Sequence, residues 1–473
     1  MKIRLFVIAA LILTLMTSGV SVSADSAVDA EIYNTWSVAT IEENADEAVN
    51  ISTIFVGKRE IPMMMYVQEN HNAIYWVWEA TEDSPGNCGP DNAWHCDSTA
   101  TTFPFMNISN LATETYPDTF SVGYSYAAGG NLWGNTREYT HSMEFISSDS
   151  EVLLDFGEFG ETVALAGPPS IAKIGGHFRG AVTLKVGVDF PVYKLVYIYF
   201  KGGSNDSCRS GVSSGYDCIV IEETAAGGLM GAPALTYKDG TSRLLYYKDN
   251  AIRYAYPWET AGLKPSNCGE TGFTWRCIDL DAPASPTTVG AKVDMAVGRD
   301  ASDLAAAYTL KGSPGSDYDS LMHASYVGSG GNCGTDKNFL GENIFTWDCG
   351  DVDNWIDSIS DTRFHIAFDN RNFPVISYNN KLIDDASSRQ RLYVAYWPGR
   401  VGLPGNGWDQ YLVDGNDQST TGYYSNIAFS NNGRVMIGYL QLFFQWNMII
   451  DDTPNIKIAT QWFSHTCLPF VVK

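Results

Sequence analysis

Residues 251–281, AIRYAYPWETAGLKPSNCGETGFTWRCIDLD, read as a β-hairpin with an internal staple. Apolar and polar residues alternate from Ile252 to Tyr256, a loop rich in Gly, Pro and Asn follows, and a second strand opens at Trp275-Arg276-Cys277. Cys268 and Cys277 flank the loop, where a disulfide would close it. The same sentence recurs at 74–97 (IYWVWEATEDSPGNCGPDNAWHCD), with Cys88 and Cys96. It recurs again at 321–351 (LMHASYVGSGGNCGTDKNFLGENIFTWDCGD), with Cys333 and Cys349. Three copies of N-C-G followed by W-x-C define a repeat protein.

A second pattern precedes each hairpin and sets the period. In HIAFDNRNFPVISY a strand, a turn and a strand carry Phe368 and Tyr378 ten residues apart, and Phe429/Tyr439, Tyr237/Tyr247 and Val56/Tyr66 keep that interval. Looser copies end at Tyr124, Leu184 and Tyr308, so seven anchors recur at steps of 58 to 70 residues. Each unit offers four short strands, which is the blade of a β-propeller. Tandem β-sandwiches would need about 100 residues per unit. The expectation is therefore an all-β chain forming one propeller of seven blades, with six blades plus an irregular segment as the alternative. No stretch shows a sustained helical period. Two segments compete to close the ring: a strand at Glu31–Ile41 and another at Cys467–Val472. The apolar run Leu440–Ile450 carries Gln441, Gln445 and Asn447 and reads as a buried strand pair.

Lys2 and Arg4, the apolar run Leu5–Met16 and Val22-Ser23-Ala24 make residues 1–24 a secretory signal, leaving a propeller over 25–473. An exported chain permits disulfides, and the cysteines fall as Cys88/Cys96, Cys208/Cys218, Cys268/Cys277 and Cys333/Cys349, with Cys467 left as a free thiol. The spacings do not suit zinc. With 30 basic and 54 acidic residues the net charge is −24, which disfavours nucleic acid and anionic lipid.

No G-x-S-x-G occurs and none of the seven histidines stands at ligand spacing, so no catalytic centre assembles from the sequence. Asp414, Asn416 and Asp417 cluster oxygen donors on one loop and make calcium the most arguable ion, although the set lacks a closing Glu. Trp78, Trp258 and Trp397 stand where the hairpin loop of their units begins, placed to stack on sugar rings. The tryptophans of W-x-C (Trp94, Trp275 and Trp347) travel with the disulfide and read as structural.

The N-C-G…W-x-C hairpin and the I-A-F-x-x-x-x-x-P-V-I-S-Y segment resemble repeats of secreted bacterial β-propeller proteins, mostly uncharacterised. The resemblance implies fold and export, and no common reaction. The functional expectation is a secreted, monomeric propeller that recognises glycan or another extracellular polymer through its loop face. A polysaccharide hydrolase or lyase, and a protein-interaction scaffold, are the alternatives.

Overall fold

The computed structural model describes residues 36–462 apart from internal segments that include 69–72, 101–111, 209–214, 258–265, 312–317, 358–363, 382–389, 398–406 and 416–418. Seven antiparallel sheets follow one another along the chain. Blades 1 to 6 span 48–100, 112–155, 163–223, 234–281, 288–357 and 364–414. Blade 7 takes three strands from 419–462 and its outermost strand, Ser37–Glu42, from the start of the chain. This is the expected seven-bladed propeller, with blade 2 complete despite its lack of cysteines.

Burial explains why the strands read so differently. Second strands lie between neighbouring blades on both faces and are continuously apolar: Ile61–Gln68, IPMMMYVQ, is buried at every position. An outer strand has one neighbour and faces solvent, so Phe145–Asp155 is exposed over its first six residues. The run expected as a strand pair is one, with Phe444 opposite Ile449.

All four expected disulfides are present. The rest of the N-C-G…W-x-C motif also has a physical reading. The Asn side chain acts as a surrogate strand: Asn87, Asn267 and Asn332 each accept from the amide of the second cysteine and donate to its carbonyl, at 2.6–3.0 Å. The glycine turns with positive φ, 69° at Gly89, 91° at Gly269 and 67° at Gly334. Its missing side chain admits the indole: a Cβ on Gly334 would stand 2.4 Å from Trp347 Cδ1, and one on Gly89 2.8 Å from Trp94 Cδ1. Blade 3 repeats the device in other letters. Ser207 exchanges both hydrogen bonds with Cys218, and the buried Tyr216 stands in for Trp. Gly334→Ala is expected to destabilise by about 1–3 kcal/mol, the usual cost of a side chain forced to positive φ. A chemical-denaturation midpoint unchanged within error would disprove this account.

Adjacent blades are fastened by a recurring tyrosine–carboxylate staple. A second-strand hydroxyl donates to an acid on the outermost strand of the preceding blade: Tyr66 to Glu42, Tyr246 to Glu222 (2.7 Å), Tyr308 to Asp281 (2.8 Å), Tyr378 to Asp353 (3.0 Å) and Tyr439 to Asp414 (2.6 Å). A buried hydroxyl must find a partner, and this one ties two sheets together. Burial, together with the neighbouring acid, raises the pKa of each of these tyrosines well above its ordinary value. In blade 4 the stapling residue is Tyr246, one place before the anchor Tyr247 read from the sequence. Between blades 1 and 2 an Arg137–Asp97 ion pair (3.7 Å) takes the role, with Arg137 lying 4.7 Å over the Trp76 ring.

Candidate functional site

The first strand of each blade lines the axis, where one edge has no sheet partner and its amides need acceptors. Side chains of the neighbouring blade supply them. Ser170 Oγ accepts from Leu235 N (2.9 Å), Asp294 Oδ2 from Ile366 N (2.9 Å), His365 Nδ1 from Ile427 N (3.3 Å) and Asn426 Oδ1 from Thr53 N (3.0 Å). Each stitch runs from one blade to the next. Asp294 Oδ1 also accepts from Met295 N (2.9 Å), so both of its oxygens are engaged. His365 accepts through Nδ1, which places its proton on Nε2, 3.8 Å from Asp294 Oδ2. Burial lowers the His365 pKa, and Lys292 adds to the effect while Asp294 opposes it. The ring is neutral at pH 7.

Above these stitches opens a cavity of about 600 Å³. Its shape follows from a break in blade 3. The first strand there is split into Val163–Leu165 and Ser170–Ile174, both pairing with His177–Val186, and the residues between are Ala166-Gly-Pro-Pro169. Proline removes a donor from a ladder, and Gly167 has φ 156° with its Cα facing Ala232, so the strand cannot continue. Beside this break Lys185 and Tyr193, carried on the second and third strands of blade 3, line the same cavity as the axial His365 and Asn426. The cavity is thus a groove that runs from the axis outward between blades 3 and 4. Tyr424 also lines it, from a bulge in the first strand of blade 7, with φ 52°. A bulky residue at such a φ stores about 1–3 kcal/mol of strain, and strain of this kind collects at binding sites.

The groove lies at the end of the ring where first strands begin and second strands pass into third. The disulfide hairpins join third strands to fourth and therefore open at the opposite end. This separates the groove from the tryptophans singled out in the sequence. Trp78 is buried, donating Nε1–H to Ser84 Oγ (3.0 Å) and stacked on His95 at 4.5 Å, so its expected role as a sugar platform does not fit. Trp258 lies outside the described residues. Trp397 is exposed and packs edge-on against Trp408 and over the buried His323, whose pKa burial pushes down to about 3.

Asp414 is not placed as a calcium ligand either. Its Oδ2 accepts from Tyr439 and from Lys457 Nζ (2.7 Å) and its Oδ1 from Gly415 N, so a divalent ion would have to displace an ammonium. Asn416 and Asp417 lie outside the described residues, as does Cys467. Among the described residues no group of three or more His, Cys, Asp or Glu side chains could hold a metal ion.

The groove residues escaped the sequence reading, although a signal existed. Asp294, His365 and Asn426 each stand directly before Met/Ile-Ala-Val/Phe, one per repeat, so aligning the repeats on that segment brings them into one column. The staples had a signal too, an acid 24 to 27 residues before each stapling tyrosine.

No protein-family model and no curated protein matches the chain. Among solved structures it is similar to a mutant of AofleA from Arthrobotrys oligospora, at 11% identity and a TM-score of 0.41 over 81% of this chain and 91% of that one. The intramolecular trans-sialidase from Ruminococcus gnavus in complex with oseltamivir carboxylate is 11% identical, with a TM-score of 0.38 over 90% and 97%. The Penicillium chrysogenum alpha-L-arabinanase complexed with arabinobiose is 10% identical, with a TM-score of 0.41 over 75% and 93%. Likenesses of this degree assign neither ligand nor reaction to this chain.

Proposed function

We propose that the protein is an extracellular carbohydrate-binding propeller that takes its ligand in the axial groove. The observation that carries this reading is the groove itself: tyrosines, an asparagine amide and lysines from blades 3, 5 and 7 converge on one open cavity. Aromatic faces beside hydrogen-bonding groups match the two surfaces of a sugar ring. Binding rather than hydrolysis or elimination is supported by how the acid–base groups are used. Asp294 holds a backbone amide on each oxygen and His365 holds another on its Nδ1 lone pair, so both side chains are used to stitch neighbouring blades together. Four disulfides suit an oxidising, extracellular setting, as does the secretory signal read over 1–24. Membership among secreted bacterial repeat propellers is part of the same proposal.

The test is capture on an array of plant, algal and microbial oligosaccharides, comparing wild type with Tyr193→Ala and Trp397→Ala. Tyr193→Ala is expected to weaken capture at least about tenfold, equivalent to roughly 1.4 kcal/mol, and Trp397→Ala to leave it unchanged. The reverse pattern would move the site to the hairpin end of the ring. Capture by neither variant nor wild type would remove the carbohydrate reading.

A further inference from the structure

We propose that the outer arm of the groove reads a negative charge on the sugar, so that the ligand is an acidic polysaccharide whose rings bear carboxylate or sulfate. This rests on the carbohydrate reading and sharpens it. The chain as a whole is strongly anionic, with 54 acidic residues against 30 basic. The groove reverses that balance: Lys185 and Lys292 line it against one carboxylate, Asp294, whose oxygens are already solvated by two amides. Lys292 is held in place, its ammonium bonded to the Phe364 carbonyl and 4.5 Å from the Phe364 ring centre. Lys185 is different. It is half-buried, it lines the cavity from a position opposite Ala164 beside the break in the first strand of blade 3, and no ion pair engages it among the described residues. A half-buried ammonium carries a desolvation cost that a bound anion would offset.

The ligand is a chain rather than one ring. The loops that follow Lys185 and precede Met230, two residues lining the groove, present Val188, Phe190 and Leu229, which are 70%, 78% and 56% exposed. Those two loops are joined by the Gly227 N–H donating to Pro191 O (3.1 Å), so the apolar side chains flank one mouth. A polymer leaving the groove there would lay the apolar face of its next ring on that surface.

The test measures three tetrasaccharides by calorimetry: a homouronate, its carboxyl-reduced neutral counterpart and a sulfated analogue. Wild type is expected to bind the acidic probes about ten- to hundredfold more tightly than the neutral one, the value of a charged hydrogen bond. That preference should shrink between 50 and 500 mM salt. Lys185→Gln should abolish the preference, and Lys185→Arg should restore most of it. Thermal melts of both variants exclude misfolding as the cause. Preference for uronate over sulfate, or the reverse, identifies which acid is read. Equal affinity for neutral and acidic probes, or a preference that survives Lys185→Gln, overturns the acidic-ligand proposal and leaves the carbohydrate reading standing. Binding of none of the three removes both.

Discussion

Asp336→Ala is expected to cost about 3–5 kcal/mol of unfolding free energy, the usual result of orphaning one member of a buried ion pair. Arg276, on the outermost strand of blade 4, directs Nε (2.8 Å) and Nη2 (2.7 Å) onto Asp336 Oδ1, and Tyr256 donates to Oδ2 (2.9 Å). The two charged side chains are 8% and 3% exposed, so water cannot replace the lost partner. Asp336 belongs to Cys333–Lys337, a fifth strand at the outer edge of blade 5, and it lies across the blade 4–blade 5 boundary. A double-mutant cycle with Arg276→Ala checks the assignment. The double variant should recover part of the loss, because no buried charge is then left alone. Strictly additive losses would show that the pair is not coupled.

The same carboxylate sets an acid limit. Burial pushes the Asp336 pKa up, but the Lys337 amide, Arg276 and Tyr256 together hold it below its ordinary value of 3.8. A depressed acid stabilises the fold fully above its unfolded pKa, and the contribution fades as pH falls from there through the folded value. Asp336 should therefore destabilise the fold only below about pH 4. His323, held neutral by burial, acts earlier: the unfolded chain takes up its proton below its ordinary 6.5 while the folded chain does not. Denaturation midpoints should thus fall in two stages on acidification, and His323→Phe should shrink the earlier one, to which the buried His365 also contributes.

What the sequence disclosed, and what it hid, follows from the range of the interactions. The disulfide hairpins were legible because every group in them lies within 17 residues, the separation of Asn332 and Cys349. The blade count was legible because tyrosines such as Tyr308 and Tyr378 hold one place per repeat. The groove was not legible, because it exists where a repeat fails. Ala166-Gly-Pro-Pro169 breaks a strand, and its first three residues line the axial cavity together with Lys185 and Tyr193. The tryptophans misled for a related reason. Trp78 stands opposite Met63 and packs against Tyr139 of blade 2, and its counterpart in blade 6 is Tyr396, opposite Val375; Trp397 stands one place further on, past the end of the strand, and stays exposed beside Trp408.

Ring closure yields the second large effect. Removing residues 1–42 is expected to cost about 4–9 kcal/mol and to lower the thermal midpoint accordingly. Between the two terminal segments that competed for the closing position, Ser37–Glu42 takes it, running antiparallel to Asn455–Trp462 with Ser37 opposite Thr460 and Glu42 opposite Ile456. Cys467–Val472 lies outside the described residues. The strand contributes in two separable ways. Ile41 is buried in the cluster that joins blade 7 to blade 1, beside Met64, Trp94 and Met436, and losing it forfeits about 1.5–3 kcal/mol. Glu42 accepts from Tyr66 and from Gln68 Nε2 (3.0 Å), and stranding those two buried donors costs about 1–3 kcal/mol each. Glu42→Ala should reproduce only the second part. If the truncated chain is no less stable than Glu42→Ala, the strand adds nothing beyond its carboxylate and the ring is closed by other means. A peptide of residues 37–42 supplied to the truncated chain offers the converse check. It can pair with the vacated edge of Asn455–Trp462 and return both Ile41 and Glu42, so it should raise the midpoint in proportion to the logarithm of its concentration once in excess. A peptide carrying Glu42→Ala should do so more weakly.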